Sequence, residues 1–126
     1  MLRFQPKVGS VVYCDYSGFI APEMIKKRPV IVISKHKHNS KLIAVVPIST
    51  VEPKIIFNYH LELDQQFCTL YLSGKRSWVK CDLFNVVSLD RLHLVRDKKS
   101  GLRHAPNVGS ESIARIREAI KAVHGL

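Results

Sequence analysis

Acidic residues are scarce in this chain, and one long stretch has none. Twenty Lys and Arg stand against ten Asp and Glu, which gives a formal net charge of +10. Between Met24 and Val51 there is no acidic residue, whereas six basic residues lie there: Lys26, Lys27, Arg28, Lys35, Lys37 and Lys41. A positive excess of this size favours a polyanionic partner, namely nucleic acid, an anionic membrane or an acidic protein.

Several features that define other protein classes are also missing. No apolar run approaches the length of a membrane span, so no membrane association is expected. The amino-terminal residues have no apolar core of a secretory signal, so we expect a cytoplasmic protein. There is no P-loop and no GxGxxG, and we therefore expect no nucleotide cofactor. The three cysteines are widely spaced without a CxxC pair, which predicts free thiols and no metal site.

What the chain does contain is a strong β-hairpin pattern. Residues 30–33 and 42–46 are short β-branched runs on either side of the polar connector 35–40. They are too short for typical helices and do not alternate with polar residues, so both faces of each strand should be covered. This hairpin is the predicted core of the fold.

The ends of this hairpin bring together groups that suit a phosphate. Arg28 begins the first strand, where Pro29 biases it towards extended geometry. The second strand ends in Ser49 and Thr50. If Ser34 pairs with Ile43, Arg28 lies opposite Ser49, and a slip of one residue would put Thr50 there instead. A fixed guanidinium beside a hydroxyl is suited to holding a phosphate group.

The rest of the chain predicts a mainly β protein with one terminal helix. We predict strands over 8–16, 55–63 and 84–89, a turn at 64–66, and a second hairpin of 67–72 and 75–81 around Ser73 and Gly74. Residues 17–27 and 96–107 are predicted loops. A helix is predicted from Ser110 as N-cap to a stop at Gly125, because its isoleucines recur at helical spacing. The whole chain, 1–126, is expected to be one domain with a small barrel-like sheet over about 7–96 and the helix over about 110–124.

Two groups near the second hairpin allow more than one interpretation. Trp78 lies between Arg76 and Lys80 and could stack on a base, or it could fill the core. Lys80 and Asp82 are two residues apart, which would place them on one strand face. They could form a surface ion pair or a polar pair at an active site. His36 and His38 are expected to be solvated residues of the connector.

Taken in order, these motifs resemble the PemK/MazF family of type II toxin–antitoxin ribonucleases over nearly the whole chain. Residues 28–34 (RPVIVIS) are similar to the family's RP-x-hydrophobic-S strand, and residues 46–50 (VPIST) to its VP-x-T segment. Further similar segments are the opening strand 9–16, Glu23 in the loop before Arg28, residues 79–82 with 86–92, and the terminal helix. Ser49 stands at the family's usual threonine position with Thr50 next to it, so either hydroxyl is a candidate.

The resemblance implies a fold, an activity and a set of site residues. It implies an SH3-like barrel, a homodimer, a small acidic antitoxin partner, and metal-independent, sequence-specific cleavage of single-stranded RNA to 2′,3′-cyclic phosphate and 5′-hydroxyl ends. Arg28 would stabilise the phosphorane and could also protonate the leaving oxygen, and Ser49, with Thr50, would hydrogen-bond the phosphate. Asp82 or Glu23 would be the general base. The implied RNA-binding residues are Glu23, Lys26, Lys27, Lys80 and Trp78.

Two other functions also fit a basic barrel of this kind. A barrel of the same fold that does not cleave RNA could act by poisoning DNA gyrase. It could also simply bind RNA or DNA, with strong salt dependence and no cyclic-phosphate products.

Overall fold

The computed structural model describes residues 2–23, 26–57, 59–96 and 101–126. Within these ranges, nine strands and two α-helices follow one another. They are β1 (Val11–Cys14), β2 (Arg28–Lys35), β3 (Leu42–Ser49), β4 (His60–Glu62), α1 (Gln65–Tyr71), β5 (Trp78–Lys80), β6 (Asn85–Ser88), β7 (Leu92–His93), β8 (Val95–Arg96), β9 (Arg103–His104) and α2 (Ser110–His124). The expectation of a mainly β protein with a carboxy-terminal helix is confirmed.

The central sheet is built around the β2–β3 hairpin. Its antiparallel order is β4-β5-β3-β2-β1-β7, and β6 also pairs with β3 beyond the end of β5. Strands β8 and β9 form a separate two-stranded sheet. Within the described residues, β4 and β7 end the path without pairing to each other, so the sheet does not close into a barrel.

The hairpin strands are covered on both faces, as their unbroken apolar sequence predicts. One face of β2 and β3, with Ile31, Ile33 and Val46, packs against Ile116 and Ile120 of α2. The other face buries a second cluster, formed by Leu2, Val12, Cys14, Tyr16, Val30, Val32, Ile43, Val45, Val87, Leu89 and Leu92. Since successive side chains of a strand point to opposite faces, a run of apolar residues is what two covered faces require.

A β-bulge in β2 sets the register of the hairpin. Ser34 pairs with Ala44, whereas the simplest register predicts that it pairs with Ile43. The pairing shifts by one residue between Val32 and Ser34. Val30 then lies opposite Pro47, and the same register carried two residues further places Arg28 opposite Ser49. The bulge thus restores the predicted pairing at the end of the hairpin where Arg28 lies.

Helix α2 supports this bulge directly. The Nη2 of Arg117 donates a hydrogen bond of 2.8 Å to the carbonyl oxygen of Ile33, the residue that the register shift leaves over. A bulge interrupts the ladder of backbone hydrogen bonds, and the guanidinium supplies a partner for this carbonyl. The helix therefore contributes a polar contact as well as its apolar face.

The helix itself begins differently from the prediction. Its N-cap is Gly109, at φ 92°, and Ser110 is the first helical residue, so the predicted Ser110 cap is wrong. The reason is Asn107, whose Oδ1 accepts the N–H of Gly109 while its Nδ2 donates to the carbonyl of Val8. The predicted stop is confirmed, because Gly125 adopts the left-handed conformation and its N–H donates to Lys121.

The predicted second hairpin is also wrong in its first half. Residues 65–71 form α1, and the Oδ2 of Asp64 accepts the N–H of Phe67 as its N-cap. Ser73 and Gly74 have positive φ and end this helix, with the Gly74 N–H donating to Cys68. Gly is typical of such left-handed helix ends as well as of hairpin turns, so the same residues suited either structure.

Two further segments differ from their predictions. The predicted strand 55–63 is reduced to β4, and the N–H of Phe57 donates to His60 Nδ1 while the N–H of His60 donates to the Phe57 carbonyl. Asn58 and residues 97–100 lie outside the described residues. The predicted loop 96–107 contains the β8–β9 pair and an isolated bridge between Ser10 and Asn107. Among the described residues, neither helix has the length and apolar character needed to cross a membrane.

Replacing Arg117 by Met should destabilise the protein by about 1–2 kcal/mol. The side chain keeps most of its aliphatic packing but loses a charge-assisted hydrogen bond to a backbone carbonyl. Urea unfolding followed by circular dichroism measures the change. Arg115→Met is the matched control, because Arg115 is exposed on the same helix and forms no hydrogen bond to the sheet within the described part of the chain. Equal stability of the two variants would contradict the role given to Arg117.

Candidate nucleic-acid cleft

An open cleft of about 810 Å³ lies at the end of the central hairpin where Arg28 and Thr50 are found. Tyr13, Pro29 and Ile48 of the sheet line it, together with residues of α1 and the segment that follows α1 and residues of the β8–β9 pair. Helix α1, which forms where the sequence predicts a strand, therefore helps to shape the cleft.

The electrostatic character of the cleft is positive. Arg28, Lys75 and Arg96 line it, and no aspartate or glutamate does so among the described residues. Tyr13 and Tyr71 add aromatic surface, and Thr50, Thr69 and Ser73 add hydroxyls. Cations with interleaved aromatic rings are the combination that binds a single-stranded nucleic-acid backbone and its bases.

Arg28 is half-buried at the start of β2, opposite Cys14 of β1. Its Nε is buried and has no hydrogen-bond partner among the described residues. Nor does any carboxylate in the described ranges form an ion pair with Arg28, since the two ion pairs found there join Arg76 to Glu62 and Lys121 to Glu118. A buried donor without a partner is costly, so an external anion would satisfy this guanidinium.

The two candidate hydroxyls are placed differently. Thr50 is exposed and lines the cleft with Arg28, whereas Ser49 is 6% exposed and does not line it. The Oγ of Ser49 accepts the N–H of Val51 at 3.1 Å. Thr50 follows the last residue of β3 and lines the cleft together with Ile48 and Arg28. Of the two hydroxyls, the structure brings Thr50 into the cleft.

The loop before Arg28 is organised by Glu23 and Arg91. The Oε1 of Glu23 accepts the N–H of Ile20 at 2.9 Å. The Nη1 of Arg91 donates to the carbonyls of Asp15 and Ser17, and its guanidinium lies 4.9 Å from the centre of the Phe19 ring. These contacts hold the described start of the loop against the sheet. Glu23 does not line the cleft. Lys26 and Lys27, which directly precede Arg28 in the sequence, are exposed.

Lys80 and Asp82 also lie outside the cleft. Lys80 is the last residue of β5 and pairs with His60 of β4. Asp82 is in the helical turn Cys81–Leu83, and its Oδ1 is buried with no hydrogen-bond partner in the described part of the protein. The structure thus does not place either residue with Arg28 and Thr50.

Trp78 occupies the core. It is 3% exposed and pairs with Ser49 of β3, and the guanidinium of Arg76 lies 5.0 Å from its ring centre. Arg76 in turn forms a 2.8 Å ion pair with Glu62, which holds the pKa of that carboxyl below its usual value. Of the two interpretations of Trp78, burial favours the core residue over a base-stacking surface.

Several cleft residues escape sequence reasoning altogether. Tyr71, Lys75, Arg96 and His104 come from α1, the segment after it, β8 and β9, and the spacing between them carries no pattern. The one usable signal is local. Phe67 and Tyr71 are four residues apart with ring centres at 4.9 Å, a spacing that fits the helix face of α1.

The cysteines take no part in cleft chemistry. Cys14, Cys68 and Cys81 are free and buried, as predicted. Burial raises the pKa of Cys14 to about 11 and that of Cys81 to about 12, and it also raises the pKa of Cys68. A buried thiol with a raised pKa is a poor nucleophile, because the thiolate is the reactive form.

Comparison with known proteins places the chain in a family. A model of the PemK-like, MazF-like toxins of type II toxin–antitoxin systems matches residues 7–124. An uncharacterized protein of Haemophilus influenzae Rd is 30% identical over 139 residues, covering 97% of this chain and 92% of that protein. The uncharacterized protein YifN of Escherichia coli K12 is 30% identical over 146 residues, covering 99% and 96%.

Solved structures share the fold. MazF from Deinococcus radiodurans superimposes with a TM-score of 0.70 at 18% identity, covering 98% of this chain and 99% of that one. A mycobacterial endoribonuclease solved with its cognate antitoxin gives a TM-score of 0.64 at 16% identity, covering 96% of each chain. The architecture is therefore that of a MazF-type toxin. The chain belongs to the PemK-like, MazF-like toxin family of type II toxin–antitoxin systems.

The three thiols should be unreactive in the folded protein. Ellman's reagent at pH 8 should modify none of them on a timescale of minutes, because burial blocks access and keeps the groups protonated. After unfolding in guanidinium chloride, all three should react at once. Absorbance at 412 nm measures both reactions, and rapid modification of the native protein would contradict the placement of these cysteines.

Proposed function

We propose that this protein is the toxin of a type II toxin–antitoxin pair and cleaves single-stranded RNA in the cleft beside Arg28. The observation that carries the proposal is the position of Arg28. Its Nε is buried without a partner among the described residues, in an open cleft that Lys75 and Arg96 also line. Family membership supports the same activity.

The proposed reaction uses a hydroxyl of the RNA itself. The 2′-oxygen forms a bond to the adjacent phosphorus and loses its proton, and the bond from phosphorus to the 5′-oxygen breaks. The products are a 2′,3′-cyclic phosphate and a 5′-hydroxyl, and no water is consumed. Negative charge collects on the non-bridging oxygens of the phosphorane, where fixed donors are most effective.

Two side chains are assigned to this charge. Arg28 binds the phosphorane through its guanidinium, which is planar, always charged and able to make two parallel hydrogen bonds. The hydroxyl of Thr50 donates a hydrogen bond to the same phosphate. Ser49, buried beneath, supports the end of β3 through its bond with the Val51 N–H. The sequence-based candidates for the general base, Asp82 and Glu23, are not among the residues that line the cleft, so the proton of the 2′-hydroxyl is taken up by solvent water.

The proposal includes partners and a place of action. Lys26, Lys27, Lys75 and Arg96 attract the RNA backbone at the exposed margin of the cleft. A small acidic antitoxin would compete for the same positive surface, in line with the structures of related toxins solved with their antitoxins. A homodimer acting on cytoplasmic mRNA, and thereby stopping translation and growth, completes the proposal.

Replacing Arg28 by Ala should lower kcat/KM for cleavage by about 100- to 1000-fold, the usual loss when a charge-stabilising donor is removed. The assay is cleavage of a single-stranded RNA in EDTA, with the 5′ ends of the products mapped. Arg115→Ala is the matched control, since it removes an equal charge from the exposed face of α2. Full activity of the Arg28 variant would overturn the role of this residue. Intact RNA with blocked DNA supercoiling by the wild-type protein would indicate a gyrase poison instead.

The two hydroxyls should separate in a paired experiment. Thr50→Val should lower kcat by about 10-fold or more, corresponding to one lost hydrogen bond of about 1.5 kcal/mol to a charged group. Ser49→Ala should lower the melting temperature and leave kcat close to that of the wild type. Single-turnover cleavage and thermal unfolding of both variants provide the comparison. A larger loss of kcat in the Ser49 variant would reverse the assignment.

A further inference from the structure

The proposed cleavage needs a proton donor that the assigned residues do not supply. When the bond from phosphorus to the 5′-oxygen breaks, that oxygen must receive a proton to become the 5′-hydroxyl. The 5′-alcohol is a weaker acid than the 2′-hydroxyl, so the 5′-alkoxide is a poor leaving group. Protonation of the 5′-oxygen as the bond breaks therefore accelerates the reaction. Arg28 does not fill this role, because a guanidinium keeps its protons in proteins.

The composition of the cleft narrows the choice of donor. Among the described residues that line it there is no carboxyl group, and His104 is the one imidazole. Imidazole is the side chain that most readily takes up and releases a proton near neutral pH. The other titratable or charged groups that line the cleft, on the elements around His104, are Tyr13, Arg28, Tyr71, Lys75 and Arg96.

The fold holds His104 in place from two sides. It lies on β9 opposite Val95 of β8, and Val95 is buried in the core beneath α2. Its ring centre lies 5.8 Å from that of Tyr71 on α1, at an interplanar angle of 54°. The side chain is half-buried, so it has a fixed surrounding and still contacts the open volume of the cleft.

We propose that His104 is the general acid of the cleavage reaction. As the phosphorane collapses, a ring N–H of the imidazolium gives its proton to the departing 5′-oxygen, and the neutral imidazole is protonated again from solvent. Arg28 and Thr50 hold the phosphate during this step. This inference rests on the proposed function, because it assigns a further residue to the same reaction.

The test compares two single-stranded substrates that differ at one atom. In the second substrate, sulfur replaces the bridging 5′-oxygen at the cleavage site, and a thiolate leaves without protonation. His104→Ala should slow single-turnover cleavage of the oxygen substrate by about 100-fold or more, the usual contribution of general acid catalysis. The sulfur substrate should be cut at nearly the wild-type rate, whereas Arg28→Ala should slow the cleavage of both.

Controls separate this role from a structural one. His104→Gln keeps a polar side chain of similar length and should show the same pattern, and added imidazole should partly restore cleavage of the oxygen substrate by the Ala variant. His38→Gln, in the exposed connector, should cut both substrates like the wild type. An equal loss on both substrates, or no loss on either, would overturn the role of His104 and leave the proposed function standing. Failure of the wild-type protein to cut either substrate would overturn the proposed function itself.

Discussion

The contact between Arg117 and the carbonyl of Ile33 ties the helix to the register of the sheet. The bulge at this point shifts the pairing of β2 with β3 by one residue, and the shifted register is the one that runs on to Arg28 and Ser49. Without the bulge, the alternation of side chains at the end of the hairpin would be reversed. The geometry of the cleft therefore depends on a backbone irregularity located five residues away from Arg28 and stabilised by the far end of the chain.

The features of the fold that the sequence predicts are those with a strong local cause. The hairpin follows from two β-branched runs, and the helix from isoleucines at helical spacing with Gly125 as its end. The failures fall where one local signal fits two structures. Asp64 at the start and Gly74 at the end suit a helix with caps as well as a turn and a hairpin, and the burial of Cys68 against the sheet decides for α1. This burial depends on residues that are distant in sequence, so no local sequence pattern predicts it.

The residues of the candidate site likewise fall into those that a local pattern predicts and those that it does not. Arg28 and the pair Ser49 and Thr50 are predictable because they are the ends of one hairpin. The other cleft residues are not, because they come from elements distant in sequence that the fold brings together. Resemblance supplies Asp82, Glu23 and Lys80 by position along the chain, but position does not fix where a side chain lies, and these three lie outside the cleft. The choice of Thr50 over Ser49 likewise needs the structure, since both are hydroxyls at the same strand end.

The burial of Trp78 has a practical consequence. It is the only tryptophan in the chain, and it pairs with Ser49 on the strand that leads into the cleft. Its ring is shielded from water and lies beneath the guanidinium of Arg76. Excitation at 295 nm therefore selects a single fluorophore next in sequence to Ser77, which lines the cleft. Its emission maximum provides an intrinsic optical signal for following the docking of a nucleic acid or a protein ligand without attaching a dye.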